Sequence, residues 1–284
     1  MILITGATGK LGRQVLAQLL EKVPARDVAV AVRDPKKAAD LAAKGVDVRY
    51  ADYAKPETLS TALVGVEKLL LISSSEVGQR APQHVAVIDA AKKAGVKLLV
   101  YTSILHADTS HMSLASEHLA TEKAIRASGI PHAFLRNGWY IENYTENLGS
   151  ALAHGVMAGS AKDGKVAAAT RADYAAAAVA VLTSKTAPKE IYELAGDEAF
   201  TMTELAAEVS RQSGRPVAYK DLPQGEYAQM LAGFGVPQTM ADMLADTDVG
   251  ITRGELDDHS GELHRLIGRA TTPLAKVVAS AVAR

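Results

Sequence analysis

The chain has no cysteine among its 284 residues, and that absence excludes whole classes of chemistry. Disulfides, thiolate nucleophiles and thiolate-ligated zinc or iron–sulfur sites are ruled out, so any redox function must use a bound cofactor. An excess of one charge is also missing. Lys and Arg total 31 against 32 Asp and Glu, a formal net charge of -1, which leaves no global field to draw in nucleic acid or an anionic membrane. No segment supplies the roughly 18 to 20 uninterrupted apolar residues of a membrane span, and the opening run Met1–Gly9 is broken by glycines without a positive leader. The expectation is a cytoplasmic protein with no membrane insertion and no nucleic-acid partner. Aromatics are scarce at 5%, but 48% hydrophobic residues suffice for a sizeable core in a chain long enough to add a second lobe.

What is present is alternation. Ile2–Ile4, Val28–Val32, Val46–Tyr50, Leu69–Ile72, Leu98–Thr102 and Ala133–Arg136 read as short buried strands. Between them lie helical segments through Leu11–Leu20, Pro35–Ala43, Leu59–Leu63, Ala81–Ala94 and Ser116–Ser128, the last two closed by Gly95 and Gly129. Strands alternating with helices imply an α/β fold with a doubly wound, mostly parallel sheet. After Tyr140 the rhythm changes. Asn143–His154 reads as one helix, Lys162–Lys165 as a polar turn, Asp173–Leu182 as an Ala-rich helix and Ile191–Leu194 as a strand returning to the main sheet or forming an edge. Helices near Thr203–Ser213, Glu226–Gly233, Thr239–Asp246 and Pro273–Val282 follow. The expected division is a Rossmann-like dinucleotide domain over 1–145, joined by 167–200, and a smaller, mainly helical lobe from 146–166 and 201–284.

The sharpest local feature is Gly6-Ala7-Thr8-Gly9-Lys10-Leu11-Gly12, directly after the first strand and opening the first helix. Glycine permits the tight turn and the close approach of backbone to a pyrophosphate, whose oxygens the first helical amides can bind. Gly12 would let the helix pack near the sheet. The G-x-x-G-x-x-G spacing is weak alone; its strand–turn–helix context makes it informative. It is not a Walker A loop, because no G-K-S/T ending follows. A NAD site often carries an acid near the end of strand two, whereas here Val32 runs into Arg33. A guanidinium there can pair with a 2′-phosphate, which favours NADP; the alternative is that Arg33, Lys36 and Lys37 are a solvated face. Asp34 can cap the helix beginning at Pro35. Asp52 can accept from the adenine amine or cap its own turn, and Ser73, Ser74 and Ser75 leave strand four where the cofactor crevice lies or form an ordinary turn.

Longer strings carry a family resemblance. These are Ile4–Gly12, Val32–Pro35, Leu70–Arg80, Tyr101–Ser103, Arg136–Tyr140, Ala195–Asp197 and Ala245–Gly250. In them the chain resembles the NmrA-like branch of the atypical short-chain dehydrogenase/reductases, and within it the bacterial NADPH-dependent quinone oxidoreductases, over almost its whole length. That resemblance implies NADPH as cofactor, a small quinone as substrate, a C-terminal portion that helps close a cleft, and a homodimer. It implies that Gly6, Ala7, Thr8, Gly9, Lys10, Leu11, Arg33, Ser73, Ser74, Ser75, Asn137, Gly138, Trp139, Tyr140, Ile141 and Glu142 contact or surround the cofactor. Lys123 matches the lysine used near the nicotinamide ribose, with a solvent-facing helical lysine as the alternative. The wider superfamily places a tyrosine four residues earlier, where this chain has Leu119. Leucine cannot donate a proton to a developing alkoxide, and Ser103 without that tyrosine is left as a polar wall.

The missing acid suits a quinone better than an alcohol or sugar, because hydride transfer to a quinone gives a resonance-delocalised anion whose protons can come from water. Tyr140 and Asn143, just past strand six, can offer a phenol and an amide to the acceptor carbonyl, with core capping as the alternative. His106, His111 and His118 are not read as a metal site, although His106 or His118 can be a polar neighbour of the substrate, and Glu122 is read as a surface group. No metal is expected. The leading expectation is direct hydride transfer from NADPH to a small quinone without a flavin; the alternative is a non-enzymatic, NADP-sensing NmrA-like regulator, which Leu119 supports equally.

Overall fold

The computed structural model describes residues 1–76, 78–146 and 148–283. Along the chain the elements begin with β1 (Ile2–Thr5), α1 (Lys10–Leu19), β2 (Val28–Val32), α2 (Ala39–Ala43), β3 (Asp47–Tyr50), α3 (Pro56–Ala62), β4 (Lys68–Leu71), α4 (Arg80–Ala94), β5 (Leu98–Ile104), α5 (Ser113–Ser128) and β6 (His132–Asn137). They continue with α6 (Glu142–Thr145), α7 (Leu148–His154), β7 (Val156–Gly159), β8 (Lys165–Val166), α8 (Arg171–Thr183), β9 (Ile191–Leu194), β10 (Phe200–Thr201), α9 (Met202–Ser213), β11 (Ala218–Asp221), α10 (Gln224–Gly233), α11 (Gln238–Thr252), α12 (Glu262–Ile267) and α13 (Leu274–Val282).

Among the described residues the main sheet has seven strands in the order β3-β2-β1-β4-β5-β6-β9. The pairs β3–β2, β2–β1, β1–β4 and β4–β5 are parallel. The chain reverses its direction of travel across the sheet between β3 and β4, so the ends of β1 and β4 form the switch point where α/β folds bind ligands. All five residues of β2 are buried, as a strand covered on both faces requires. Ile191–Leu194 does both things expected of it, joining the main sheet and forming its edge.

The chain divides into two compact units. The first comprises Met1–Ile104, Glu117–Arg136 and Tyr174–Tyr192; the second comprises Leu105–Ser116, Asn137–Asp173 and Glu193–Arg284. The first unit's core brings Leu3, Leu69, Leu71, Leu99, Tyr101 and Phe134 of the sheet against Val87, Ile88 and Ile125 of α4 and α5. In the second unit β7 and β11 pair in parallel, β8 and β10 antiparallel, and α10 packs on α11. Thr201 and Glu204 form a reciprocal capping box at the start of α9.

Three local expectations are refined. Pro35–Ala43 is a tight 3-10 turn, Pro35–Ala38, before α2, because Asp34 caps the Lys36 amide and Pro35 sets the first position. The polar turn at Lys162 has a left-handed residue, φ 47°, but Lys165 already enters β8. The segment Asn143–His154 holds two helices, α6 and α7, and its Asn147 lies outside the described residues. No helix among the described residues is long and apolar enough to cross a membrane.

Candidate functional site

In the first unit the glycine turn is built by close backbone approach. Gly6 has φ 60° and its carbonyl accepts from the Gly9 amide at 3.0 Å. A Cβ on Gly12 would lie 2.8 Å from the Ala7 Cα and run into the Gly6 carbonyl, and one on Gly9 would sit 3.2 Å from that oxygen. Gly6 itself lies against Ile72, just past β4. The N-cap of α1 is Gly9, which makes no side-chain capping bond, and the first turn has no acid. The positive end of α1 thus carries no side-chain cap and no acid in its own first turn, which suits an anionic pyrophosphate. Ala7, Leu11 and Gly12 are buried, whereas Thr8, Gly9 and Lys10 are exposed.

Arg33 extends from the end of β2 and donates to Glu76 at 2.5 Å. Its side chain is 70% exposed, so it is not a core residue. Asp52 accepts from the Ala54 amide at 3.0 Å, the turn-capping role weighed for it. Ser73, Ser74 and Ser75 follow β4, as expected for groups at the sheet's carboxyl edge.

The serine segment rests on a buried polar network that the sequence does not announce. The Ser73 amide donates to Thr102 Oγ1 at 2.9 Å, and the Ser74 amide to His84 Nε2 at 3.0 Å. Arg80, 6% exposed, donates through Nε to the Ser74 carbonyl. Because His84 Nε2 accepts, the neutral ring carries its proton on Nδ1 and donates to Thr121 Oγ1, whose hydroxyl donates on to the Glu117 carbonyl. Burial, assisted by the Arg80 charge, pushes the His84 pKa down to about 3, so this tautomer persists at neutral pH. His118 bonds the Tyr101 hydroxyl at 2.8 Å, and burial holds it well below the usual imidazole range.

Two expectations, one on α5 and one on β5, are corrected. Glu122 is not a surface group: it is fully buried, accepts from Arg136 Nε at 2.9 Å and NH2 at 2.8 Å, and from Ser103 Oγ at 2.7 Å. Its helical position turns it towards β6, and Ser103 is committed to this pair instead of forming an open polar wall. Lys123, one residue on, is exposed, and Leu119 is half-buried.

In the second unit Asn137 to Asn143 form the edge of a small backbone-paired array. Gly138 donates to the Leu194 carbonyl, Tyr140 bridges Ala169, and Ile141 donates to Ala169. Asn137 is 4% exposed, and its Oδ1 is without a hydrogen-bond partner among the described residues. Ile141 is buried, Trp139 and Tyr140 are half-buried, and Asn143 is exposed. Glu142 accepts from the Arg171 amide at 2.9 Å and so caps α8.

Arg171, which sequence reasoning missed, organises this segment. Its guanidinium lies 4.9 Å from the Tyr140 ring centroid, donates to Asn143 Oδ1 at 2.8 Å and pairs with Glu146 at 2.7 Å. Tyr140 and Asn143 are therefore linked by a cation from 28 residues downstream of Asn143. Burial of the hydroxyl raises the Tyr140 pKa above that of a free phenol, against the lowering effect of an Asn137 hydrogen bond and the Arg171 charge. Tyr140 is thus a protonated donor at neutral pH.

The NmrA-like family model matches residues 1–261. Quinone oxidoreductase 2 of Escherichia coli strain K12 is 56% identical over 278 residues, 98% of this chain and 97% of that protein. The crystal structure of the NADPH-dependent quinone oxidoreductase from Escherichia coli, complexed with NADPH, aligns with a TM-score of 0.96 at 56% identity, covering 99% of each chain. The Citrobacter sp. triphenylmethane reductase complexed with NADP(H) aligns with a TM-score of 0.95 at 39% identity, covering 99% of this chain and 100% of that one. Family model, near-full-length identity and fold all converge, and the chain belongs to the NmrA-like family.

Proposed function

We propose that this protein is an NADPH-dependent quinone oxidoreductase that reduces a small quinone to the hydroquinone. The observation that carries the reading is the 56% identity, sustained over 98% of the chain, with a quinone oxidoreductase. The fit of the first unit to a dinucleotide supports it independently. The turn Gly6–Gly12 and the uncapped start of α1 take the pyrophosphate, and Arg33 takes the 2′-phosphate. The same reading assigns cofactor-contacting roles to Asp52, Ser73, Ser74, Ser75 and Lys123 of the first unit and, by the family resemblance, to Asn137, Gly138, Trp139, Tyr140, Ile141 and Glu142 of the second. By role, 1–145 with 167–200 bind the cofactor, and 146–166 with 201–284 serve the substrate.

When bound, NADPH supplies the hydride; the chain orients the reactants and excludes water. Tyr140, a phenol protonated at neutral pH, donates a hydrogen bond to an acceptor carbonyl, and Asn143 offers its amide beside it. Arg171 holds both groups in place. Leu119 supplies no proton, which a quinone tolerates because its reduced form delocalises the charge and takes protons from water. The same reading puts the enzyme in the cytoplasm, working on a small molecule without nucleic acid, and makes a homodimer the assembly to test.

Steady-state NADPH oxidation with benzoquinone, with naphthoquinone and without acceptor tests the proposal. Turnover should require the quinone and should favour NADPH over NADH. Tight NADPH binding without quinone-dependent turnover would instead establish the sensor reading.

A further inference from the structure

The carboxyl end of β1 is spanned by an ion pair. In the sheet β1 lies between β2 and β4, and all three run parallel. Arg33 directly follows β2, and Glu76 follows β4 by five residues. A bond between groups leaving the two flanking strands passes over the strand between them, and it is from β1 that the glycine turn emerges. The contact of Gly6 with Ile72 draws the segment after β4 onto that same turn.

Glu76 is held for this purpose. Its second carboxylate oxygen accepts from Gln83 Nε2 at 2.6 Å, its amide donates to Ser74 Oγ at 3.2 Å, and that hydroxyl donates to Gln83 Oε1 at 2.8 Å. The bond from Gln83, with that from Arg33, keeps the carboxyl below its usual range, so the residue is an anion at neutral pH. Both partners are open to solvent, with side chains 70% and 41% exposed, so an incoming anion can exchange for the carboxylate at little cost.

We propose that Glu76 is a specificity-determining residue for the dinucleotide: an acidic competitor for the Arg33 guanidinium, which the 2′-phosphate of NADPH must displace. The inference rests on the NADPH reading above. NADH lacks the 2′-phosphate and leaves the pair intact, so the carboxylate weakens NADPH binding selectively and narrows the preference between the two cofactors. The cation that recognises NADPH is thereby kept from binding any passing phosphate tightly.

Fluorescence and calorimetric titrations of the full chain with NADPH, NADH, 2′,5′-ADP and 5′-AMP test this. Glu76→Gln should tighten NADPH and 2′,5′-ADP by about three- to fivefold, the scale of one exposed ion pair, while NADH and 5′-AMP change little. In an Arg33→Gln background, where the contested cation is gone, the same substitution should have a much smaller effect. Unchanged or weaker NADPH binding by Glu76→Gln overturns the inference while leaving the enzyme reading intact, and so does equal tightening of NADPH and NADH. Failure of the wild-type chain to bind NADPH or to oxidise it with quinone overturns the functional reading and the inference together.

Discussion

Glu122 and Asp248 each take an acid out of water, and their surroundings handle the charge in opposite ways. Glu122 meets Arg136 in a two-point bond, so its charge is paired. Asp248, on α11, accepts a hydrogen bond from the Ser160 amide at 2.8 Å and is faced, among the described residues, by Tyr144, Tyr219, Tyr227 and Asp221. Burial raises its pKa from 3.8 to about 6; the Ser160 bond opposes that and Asp221 adds to it. The folded chain therefore keeps a proton that the unfolded chain releases from about pH 4 upward, and the stabilisation is lost as pH rises through about 6. Asp248→Asn should remove this dependence. The stability of the variant relative to wild type should rise by about 2 to 3 kcal/mol between pH 4 and pH 7 in urea denaturation. Parallel pH profiles for the two proteins would contradict the assignment. None of this was visible along the chain, where Glu122 read as a surface acid and Arg171 drew no notice. Spacing places a residue on a helix face but does not say what packs there.

The elements nearest the cofactor reading were the most legible. A strand, three spaced glycines and a helix follow one another within 19 residues, and the hydrogen bonds that shape the turn lie within it. Within this turn Gly12 is the position with least latitude, because its neighbours are backbone atoms that cannot rotate away. Gly12→Ala should lower NADPH affinity at least tenfold and cost about 1 to 3 kcal/mol of stability, read by cofactor titration and thermal unfolding. Wild-type affinity in that variant would mean that the turn can widen without loss. The Asp34 cap was equally readable, since a cap is a bond between residues two or three apart. The limits of α11 and the break between α6 and α7 were not, because an apolar pattern fades gradually where tertiary packing ends or extends a helix.

At the scale of the whole molecule, the long-range bonds decide which distant segments share a site. In the second unit Asp173, at the start of α8 and fully buried, accepts from Thr170 Oγ1 at 2.7 Å and the Thr272 amide at 2.9 Å, and pairs with Arg269 at 2.7 Å. Burial pushes its carboxyl up, but the Thr170, Thr272 and Arg269 contacts outweigh it and hold the pKa below 3.8. This stability is present above that value and lost as pH falls through the depressed one. Asp173→Asn should cost about 1 to 2 kcal/mol near neutral pH, with the gap to wild type narrowing on acidification, as followed by urea unfolding. A gap that is constant with pH would show that packing, not charge, holds the C-terminal segment. The α/β class, the strand–turn–helix and the Arg33 signal were determined by the sequence itself, because each depends on residue type or on neighbours a few positions away, and the missing acid at Leu119 was legible through the family resemblance. The order of the strands, the Arg33–Glu76 bond across 43 residues, the burial of Glu122 and the placement of Arg171 were decided only by the tertiary structure. Their partners are chosen by which strands and helices come to lie side by side, and no local spacing encodes that.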